Sequence, residues 1–346
     1  MGDQIAGQIC DWLAAGQEVA VATVVATRHS SPRPVGAKLG LSASGELVGA
    51  VSGGCVEGAV VEVAERVLVD GRRQLLHFGE EQITGTGLPC GGAITVMVER
   101  CDAQLARFLK LAAAGRGAML LTPLNGSGER RLLETALSEQ PSELTADDVF
   151  VDVALPAPRL MIVGAVDFTG PLCETAARCG WRVFVIDPRT RFAPAERFPD
   201  AEAVLGLWPE AAFAQLGGLN RRTAVAVLTH DPKLDDAALI AALDSNAFYI
   251  GAMGSRHADA ERRRRLEAAG VSAPQLARVR GPIGLDLGAA GAAETALAIM
   301  AEIVAVRHGR DGGSLTGSSG TIHAGGAVAP PLSAIGEPRL RACPTV

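Results

Sequence analysis

The chain has 346 residues, a formal net charge of −6, and 48% hydrophobic and 20% charged residues. That length predicts two domains, or three small ones, and that balance predicts a globular protein. The acidic charge leaves no basic footprint for nucleic acid, and no apolar run is long enough to span a membrane.

The first residues, Met1-Gly2-Asp3-Gln4-Ile5-Ala6, lack a basic stretch followed by an apolar one, so no signal peptide is read. Seven cysteines are an odd number, and no CxxC pair or Cys/His cluster at zinc spacing occurs. A cytoplasmic protein with free thiols and no structural zinc is expected.

Residues 4–15 read as a short amphipathic helix with Ile5, Ile9, Trp12 and Leu13 on one side. Val19 to Ala26 reads as a buried strand. It runs into Thr27 to Lys38, where two prolines and a glycine predict a loop. Arg28, Arg33 and Lys38 are candidates there to hold a phosphate or carboxylate, against the simpler reading of a solvated loop. Leu39–Leu41 and Leu47–Val51 predict a hairpin around Ala43-Ser44-Gly45.

Next comes Ser52-Gly53-Gly54-Cys55-Val56-Glu57-Gly58. From Cys55 onward the pattern is helical, with Val56, Val60, Val63, Ala64 and Val67 on one face. Cys55 is therefore expected at a helix N-terminus, where free amides and the dipole favour an anion or a thiolate. Gln74–Phe78 is a strand. A second segment of the same makeup, Gly87-Leu88-Pro89-Cys90-Gly91-Gly92, precedes a strand over Ala93–Val98. Gly53, Gly54, Gly91 and Gly92 let backbone amides approach a ligand closely. Cys55 and Cys90 in such turns predict one site for something anionic or soft. The bland alternative is that each cysteine is core filler.

Residues 102–114 read as a helix and Ala118–Thr122 as a strand. From Leu124 the chain turns polar with little periodicity, so 124–156 reads as a connecting region containing a strand at Val149–Val153. This divides an N-terminal domain, 1–123, from a C-terminal one, 157–308. In the latter, strands at Leu160–Val163, Arg182–Ile186, Ala203–Leu205, Thr223–Leu228 and Phe248–Ile250 alternate with helices over 170–179, 235–244, 256–268 and 290–307. Such alternation predicts a parallel sheet with helices on both faces. The fold class expected is α/β: a mixed α/β N-terminal domain followed by a Rossmann-like, doubly wound parallel-sheet domain. Helix 290–307 is expected to turn Leu297, Met300, Ile303 and Val304 to the core, and Arg262–Arg265 to be a solvated face. Residues 309–346, rich in Gly, Ser, Pro and Ala, read as a largely disordered tail with Cys343 incidental.

Strand 160–163 ends in Gly164-Ala165-Val166-Asp167, and the next strand ends at Asp187. A glycine turn with an acid about 20 residues on is the dinucleotide arrangement. However, Val166 replaces the second glycine and Asp167 sets a negative charge near the expected phosphate, so tight NAD(P) binding is not expected. Asp187 alternatively caps a turn before Pro188. His230, in Thr229-His230-Asp231, is a candidate acid/base or metal ligand, or a histidine with a structural hydrogen bond. Gly251, Gly254 and Ser255 before a helix can form an anion nest, with Arg256 adding charge. Pro282 to Gly288 is a third glycine-rich loop on the same edge.

These stretches together resemble the XdhC/CoxI family, accessory proteins of xanthine dehydrogenase and carbon monoxide dehydrogenase. The resemblance covers roughly residues 10–308 and rests on five segments. They are Gly53 to Gly58, Gly87 to Gly92, Leu228 to Asp231, Tyr249 to Arg256 and Pro282 to Ala289. Where the family typically has Gly-x-Gly-His, this chain has Gly164-Ala165-Val166-Asp167. The resemblance implies a molybdenum cofactor (molybdopterin) as ligand, held during sulfuration and delivered to an apo molybdenum hydroxylase. It implies a maturation factor more than an enzyme, with a cysteine desulfurase and a second copy of the chain as candidate partners. The candidate cofactor-binding residues, read from these loops, are Cys55, Cys90, Gly53, Gly54, Gly91, Gly92, Arg28, Lys38, Gly164, Asp187, His230, Gly254, Ser255 and Arg256. Two alternatives stand beside it. One is an NAD(P)-dependent oxidoreductase built on Gly164 and Asp187. The other is a thiol redox or sulfur-transfer protein using Cys55 and Cys90.

Overall fold

Strand β1 (Val19–Arg28) lies at the centre of the first sheet. In the computed structural model of the chain the described residues are 2–28, 31–79, 92–125, 128–134 and 142–317. Ala20, Ala22 and Val24 of β1 pack into one apolar cluster, Val19 and Val21 into another. Both faces are covered, so apart from Thr23 the strand is apolar from Val19 to Ala26 and does not alternate. The sheet is antiparallel, in the order β3 (Leu47–Gly49), β2 (Lys38–Ser42), β1, β5 (Ala93–Arg100), β4 (Gln74–Phe78).

Helix α2 (Glu57–Asp70) covers one face through Val60, Val63, Ala64 and Val67. It ends at Gly71, whose left-handed φ of 69° lets its N–H reach the Val67 carbonyl at 2.9 Å. Helices α1 (Gly2–Ala14) and α3 (Ala103–Ala113) cover the other face with Ile9, Trp12, Leu105 and Phe108. The Asp102 side chain caps α3 by accepting from the Leu105 amide at 2.8 Å.

A second antiparallel sheet runs β7 (Arg131–Leu133), β6 (Ala118–Pro123), β9 (Val149–Ala154), β8 (Glu143–Leu144). Residues 124–156, expected as a connecting region, thus supply three of its strands. They fall in the same compact unit as the preceding residues, Met1–Pro156. Strands of three and two residues are too short to show a period. Pairing with β6 and β9 makes them strands, not their own propensity.

The second unit is Ala157–Ser318. Its six strands are parallel, in the order β12 (Ala203–Leu205), β11 (Arg182–Ile186), β10 (Arg159–Val163), β13 (Thr223–Val227), β14 (Tyr249–Ala252), β15 (Val279–Arg280). The chain leaves β10 in one direction, then returns to its other side at β13. This is the doubly wound, Rossmann-like order. Along β10, Met161 and Val163 enter one cluster and Leu160 and Ile162 the other. The helices are α4 (Thr169–Arg178), α5 (Pro209–Gln215), α6 (Pro232–Leu243), α7 (Arg256–Ala268), α8 (Ala273–Leu276) and α9 (Ala292–Arg307). None of the described helices is long and apolar enough to cross a membrane.

Two expectations change. In α9 the buried stripe is Ala296, Ile299, Met300 and Ile303, while Leu297 is 55% exposed and Val304 sits at the margin. A helix advances 100° per residue, so a neighbour of the stripe points aside. In α7, Arg262 is buried instead of solvated. The tail beyond residue 317, with Cys343, lies outside the described residues.

Candidate functional site

The Cys55 loop precedes α2, as its pattern predicts. Gly53 and Gly54 adopt φ of 92° and 120°, a region glycine enters without strain. The amide nest they help form already holds an anion, the carboxylate of Glu57. One Glu57 oxygen accepts from the amides of Val51 (3.2 Å), Ser52 (2.8 Å) and Gly53 (2.8 Å). The other accepts from the Gly54 amide (2.8 Å), the Val56 amide (3.3 Å) and the Ser52 hydroxyl. Burial opposes this charge, but the Ser52 hydroxyl and the Ser52, Gly53 and Gly54 amides outweigh it and hold the carboxyl at about 2. Ser52 in turn accepts from the amides of Cys55 and Val56 at 3.0 and 3.1 Å. The result is a locked loop that exposes the Cys55 side chain. Glu57 is the first residue of α2, and an acid in the first turn of a helix is a signal the sequence carried.

The five described cysteines are all free. Burial pushes the thiols of Cys101 and Cys173 up to about 12, which keeps them neutral. Cys90 and Gly91 lie outside the described residues; Gly92 is buried just before β5. Arg28 is exposed at the end of β1, paired in register with Ala93 at the start of β5. Arg33 is half-buried.

Lys38 departs from its reading as a phosphate ligand. It is 9% exposed, and its ammonium pairs with Asp152 and donates to the Gly36 carbonyl at 3.3 Å. Asp152 also accepts from Ser142 at 3.3 Å. The lysine therefore ties β2 to β9, a partner 114 residues away.

At the first turn of the parallel sheet, the groups a pyrophosphate would need are engaged from within. The Ala165 amide donates to Asp187 at 2.8 Å, and the Val166 amide donates to the Thr169 hydroxyl at 3.2 Å. Asp187 is fully buried and also accepts from the Arg189 amide and its guanidinium at 2.8–2.9 Å. Burial opposes its charge, but these bonds outweigh it and lower its pKa. The turn-capping alternative for Asp187 thus describes its contacts. Gly164 has φ 111°, and a Cβ there would sit 2.3 Å from Thr229 Cγ2. The Thr229 side chain therefore lies directly against Gly164, just past the ends of β13 and β10.

His230 is exposed, and no group of three His, Cys, Asp or Glu among the described residues could hold a metal ion. Gly254 has φ 148°, and Ser255 caps α7 by accepting from the Ala258 amide at 3.1 Å, with Arg256 exposed beside it. Beneath them lies a buried cluster that sequence reasoning missed. Thr229 donates to Asp235, and Arg262 lies between Asp235 (3.7 Å) and Asp259 (3.3 Å) while donating to the Met253 carbonyl.

Burial pushes the Asp235 carboxyl up to about 6, against the opposing pull of Thr229 and Arg262. A raised acid favours folding below its unfolded value of 3.8, and that gain is lost as pH rises through about 6. The urea midpoint of the second unit, relative to an Asp235→Asn variant, is therefore expected to fall between about pH 4 and about pH 7. A difference that stays constant with pH would refute this.

Two family models match the chain. The XdhC and CoxI family matches residues 12–79, which include the Cys55 loop, and the XdhC Rossmann domain matches residues 160–303. The chain belongs to the XdhC/CoxI family. Among its relatives is the molybdenum cofactor insertion chaperone PaoD of Escherichia coli, 28% identical over 306 residues, covering 85% of each chain. A probable xanthine dehydrogenase subunit of Bacillus subtilis is 28% identical over 320 residues, covering 84% of this chain and 94% of that one. A crystal structure described as a xanthine dehydrogenase from Bacillus halodurans superposes with a TM-score of 0.71 at 25% identity, covering 91% of this chain and 98% of that one. The XdhC/CoxI likeness therefore spans both units.

Proposed function

We propose that this protein is a molybdenum cofactor-binding insertion chaperone for a molybdenum hydroxylase of the xanthine dehydrogenase or carbon monoxide dehydrogenase type. It holds the cofactor during sulfuration and delivers it to the apoenzyme, in the cytoplasm. The observation that carries this reading is the likeness to a molybdenum cofactor insertion chaperone over 85% of both chains. The geometry supports it at one point above others: a locked loop presents the exposed Cys55 side chain ahead of a helix. A sulfur ligand there suits soft metal or sulfur chemistry. Cys90 with Gly91 is the second half of the proposed site. A cysteine desulfurase is the proposed sulfur donor, and a homodimer the proposed assembly. The NAD(P) alternative draws less support, because the amides of the first turn are already satisfied.

The test is to purify the full chain from cells that make the cofactor and assay released pterin. The Cys55→Ala variant is expected to fold normally and retain less than about a tenth of the wild-type pterin, the scale of effect seen when a metal site loses support. Wild-type protein free of pterin, together with unchanged hydroxylase activity in a strain lacking this protein, would defeat the proposal.

A further inference from the structure

This chain is poor in aromatic residues, with three Trp, one Tyr and nine Phe. Among the described residues, two of their rings stand out in solvent: Phe192 is 54% exposed and Trp208 is 50% exposed. Both lie at the carboxyl end of the parallel sheet, where open α/β sheets bind ligands. Phe192 follows β11, and Trp208 follows β12. The two loops touch. A Cβ on Gly206 would lie 2.7 Å from Thr190 Cγ2, and the Asp187 amide donates to the Leu205 carbonyl at 3.0 Å. Each contact falls within a few residues of a ring.

Charge gathers at the same place. The Arg189 guanidinium, anchored on Asp187, lies 5.2 Å from the Phe192 ring centroid. It thereby fixes one face of that ring and leaves the rest exposed. Arg191 is exposed and unpaired among the described residues. Single exposed aromatics are ordinary on a protein surface. Two on touching loops, with a free guanidinium on one of them, are a combination that recognises flat anions.

We propose that the loops after β11 and β12 form a binding site for a flat heterocycle carrying a phosphate. Phe192 and Trp208 supply stacking surfaces and Arg191 pairs with the phosphate. The helix amides that take phosphate in many such folds are engaged here by Asp187 and Thr169, so the free cation on the neighbouring loop takes that part. A pterin phosphate and a purine nucleotide share this chemistry. The pterin identity rests on the function proposed above; the site itself does not.

Trp12 and Trp181 are each 5% exposed, so Trp208 is the tryptophan that senses a ligand at the surface. The full chain is titrated with neopterin phosphate, AMP and inorganic phosphate, following tryptophan fluorescence and equilibrium dialysis. At least one heterocycle is expected to quench saturably, while inorganic phosphate leaves the emission unchanged. Arg191→Gln and Phe192→Leu are each expected to weaken dialysis binding about 10-fold, within the range of one lost stacking or ionic contact. Trp208→Leu should weaken it similarly and abolish the quench. Binding of AMP alone assigns the site to a nucleotide, and of neopterin phosphate alone to the pterin end of the cofactor. The probes contain neither metal nor sulfur, so failure of the Cys55 test leaves this one standing. The proposal is overturned if neither heterocycle binds below about 1 mM, or if affinity is unchanged in the Arg191 and Phe192 variants.

Discussion

Arg130→Ala is expected to destabilise the first unit by about 3 kcal/mol, the lower end of the cost of breaking a buried ion pair, because Glu99 keeps its bond to Arg73. The side chains of Arg130 and Glu99 are each 6% exposed and form a direct ion pair. Arg130 also donates to Asp102 at 2.7 Å and to the Thr122 hydroxyl at 3.1 Å. Glu99 accepts in addition from Arg73 at 2.9 Å, and Asp102 is the cap of α3. Burial disfavours the charged guanidinium, but Glu99 and Asp102 outweigh it and raise its pKa. One side chain thus joins β5, β6 and the start of α3. Removing it leaves Glu99 buried with Arg73 alone and loosens the cap. The midpoint of urea unfolding, followed by hydrogen exchange within residues 92–125, measures the loss. Arg130→Met keeps most of the volume and should cost nearly as much, because charge and not bulk is what Glu99 needs. A loss below about 1 kcal/mol in both variants would mean that the pair holds nothing together.

The second large effect concerns Glu57. Glu57→Gln keeps the shape of the side chain but replaces one carboxylate oxygen with an NH₂ group. That donor would then face the Gly54 N–H and the Ser52 hydroxyl, which now both donate to an oxygen. The expected cost is about 1–3 kcal/mol, felt locally, since unmade hydrogen bonds carry that penalty. Helix α2 should persist, because its buried valines do not depend on the loop. Alkylation of Cys55 should change in rate, and amide protection over 51–54 should fall. The pH dependence has a definite sign. The folded carboxyl titrates at about 2 instead of 4.5, so its contribution is complete above about 4.5 and is lost as pH falls through about 2. A carbon-13 titration of the Glu57 carboxyl checks this directly. A midpoint near 4.5 would show that the nest does not hold it. Unchanged protection in Glu57→Gln would show that the glycine loop is ordered by something else.

The cysteine loop and the first turn of the parallel sheet share one lesson. The glycines of the first suggest amides open to a foreign anion, and the second has the outline of a dinucleotide turn with an ill-placed valine and aspartate. In each, the chain supplies its own acceptor: Glu57 in the first, Asp187 and Thr169 in the second. Glu57 went unread as that acceptor, although an acid in the first turn of a helix is a signal the sequence carried. Asp187 was half legible, as a turn cap, but its bond to the Ala165 amide spans 22 residues.

What the sequence by itself determined is what depends on near neighbours: the buried strands from their apolar runs, the helices from their repeat, the turns from glycine and proline, and the family from short motifs. The doubly wound class of the second sheet followed as well, because parallel strands joined by helices have few ways to wind; its strand order came from the structure. Only the tertiary structure decided which polar groups remain free. Lys38 found Asp152 114 residues away, and Arg262 lies under Thr229 and Asp235, so both are engaged within the chain. The strands of 131–133 and 143–144 became strands by pairing with β6 and β9. Burial and pairing of a charge depend on whatever arrives from distant parts of the chain, and local pattern carries no record of that arrival.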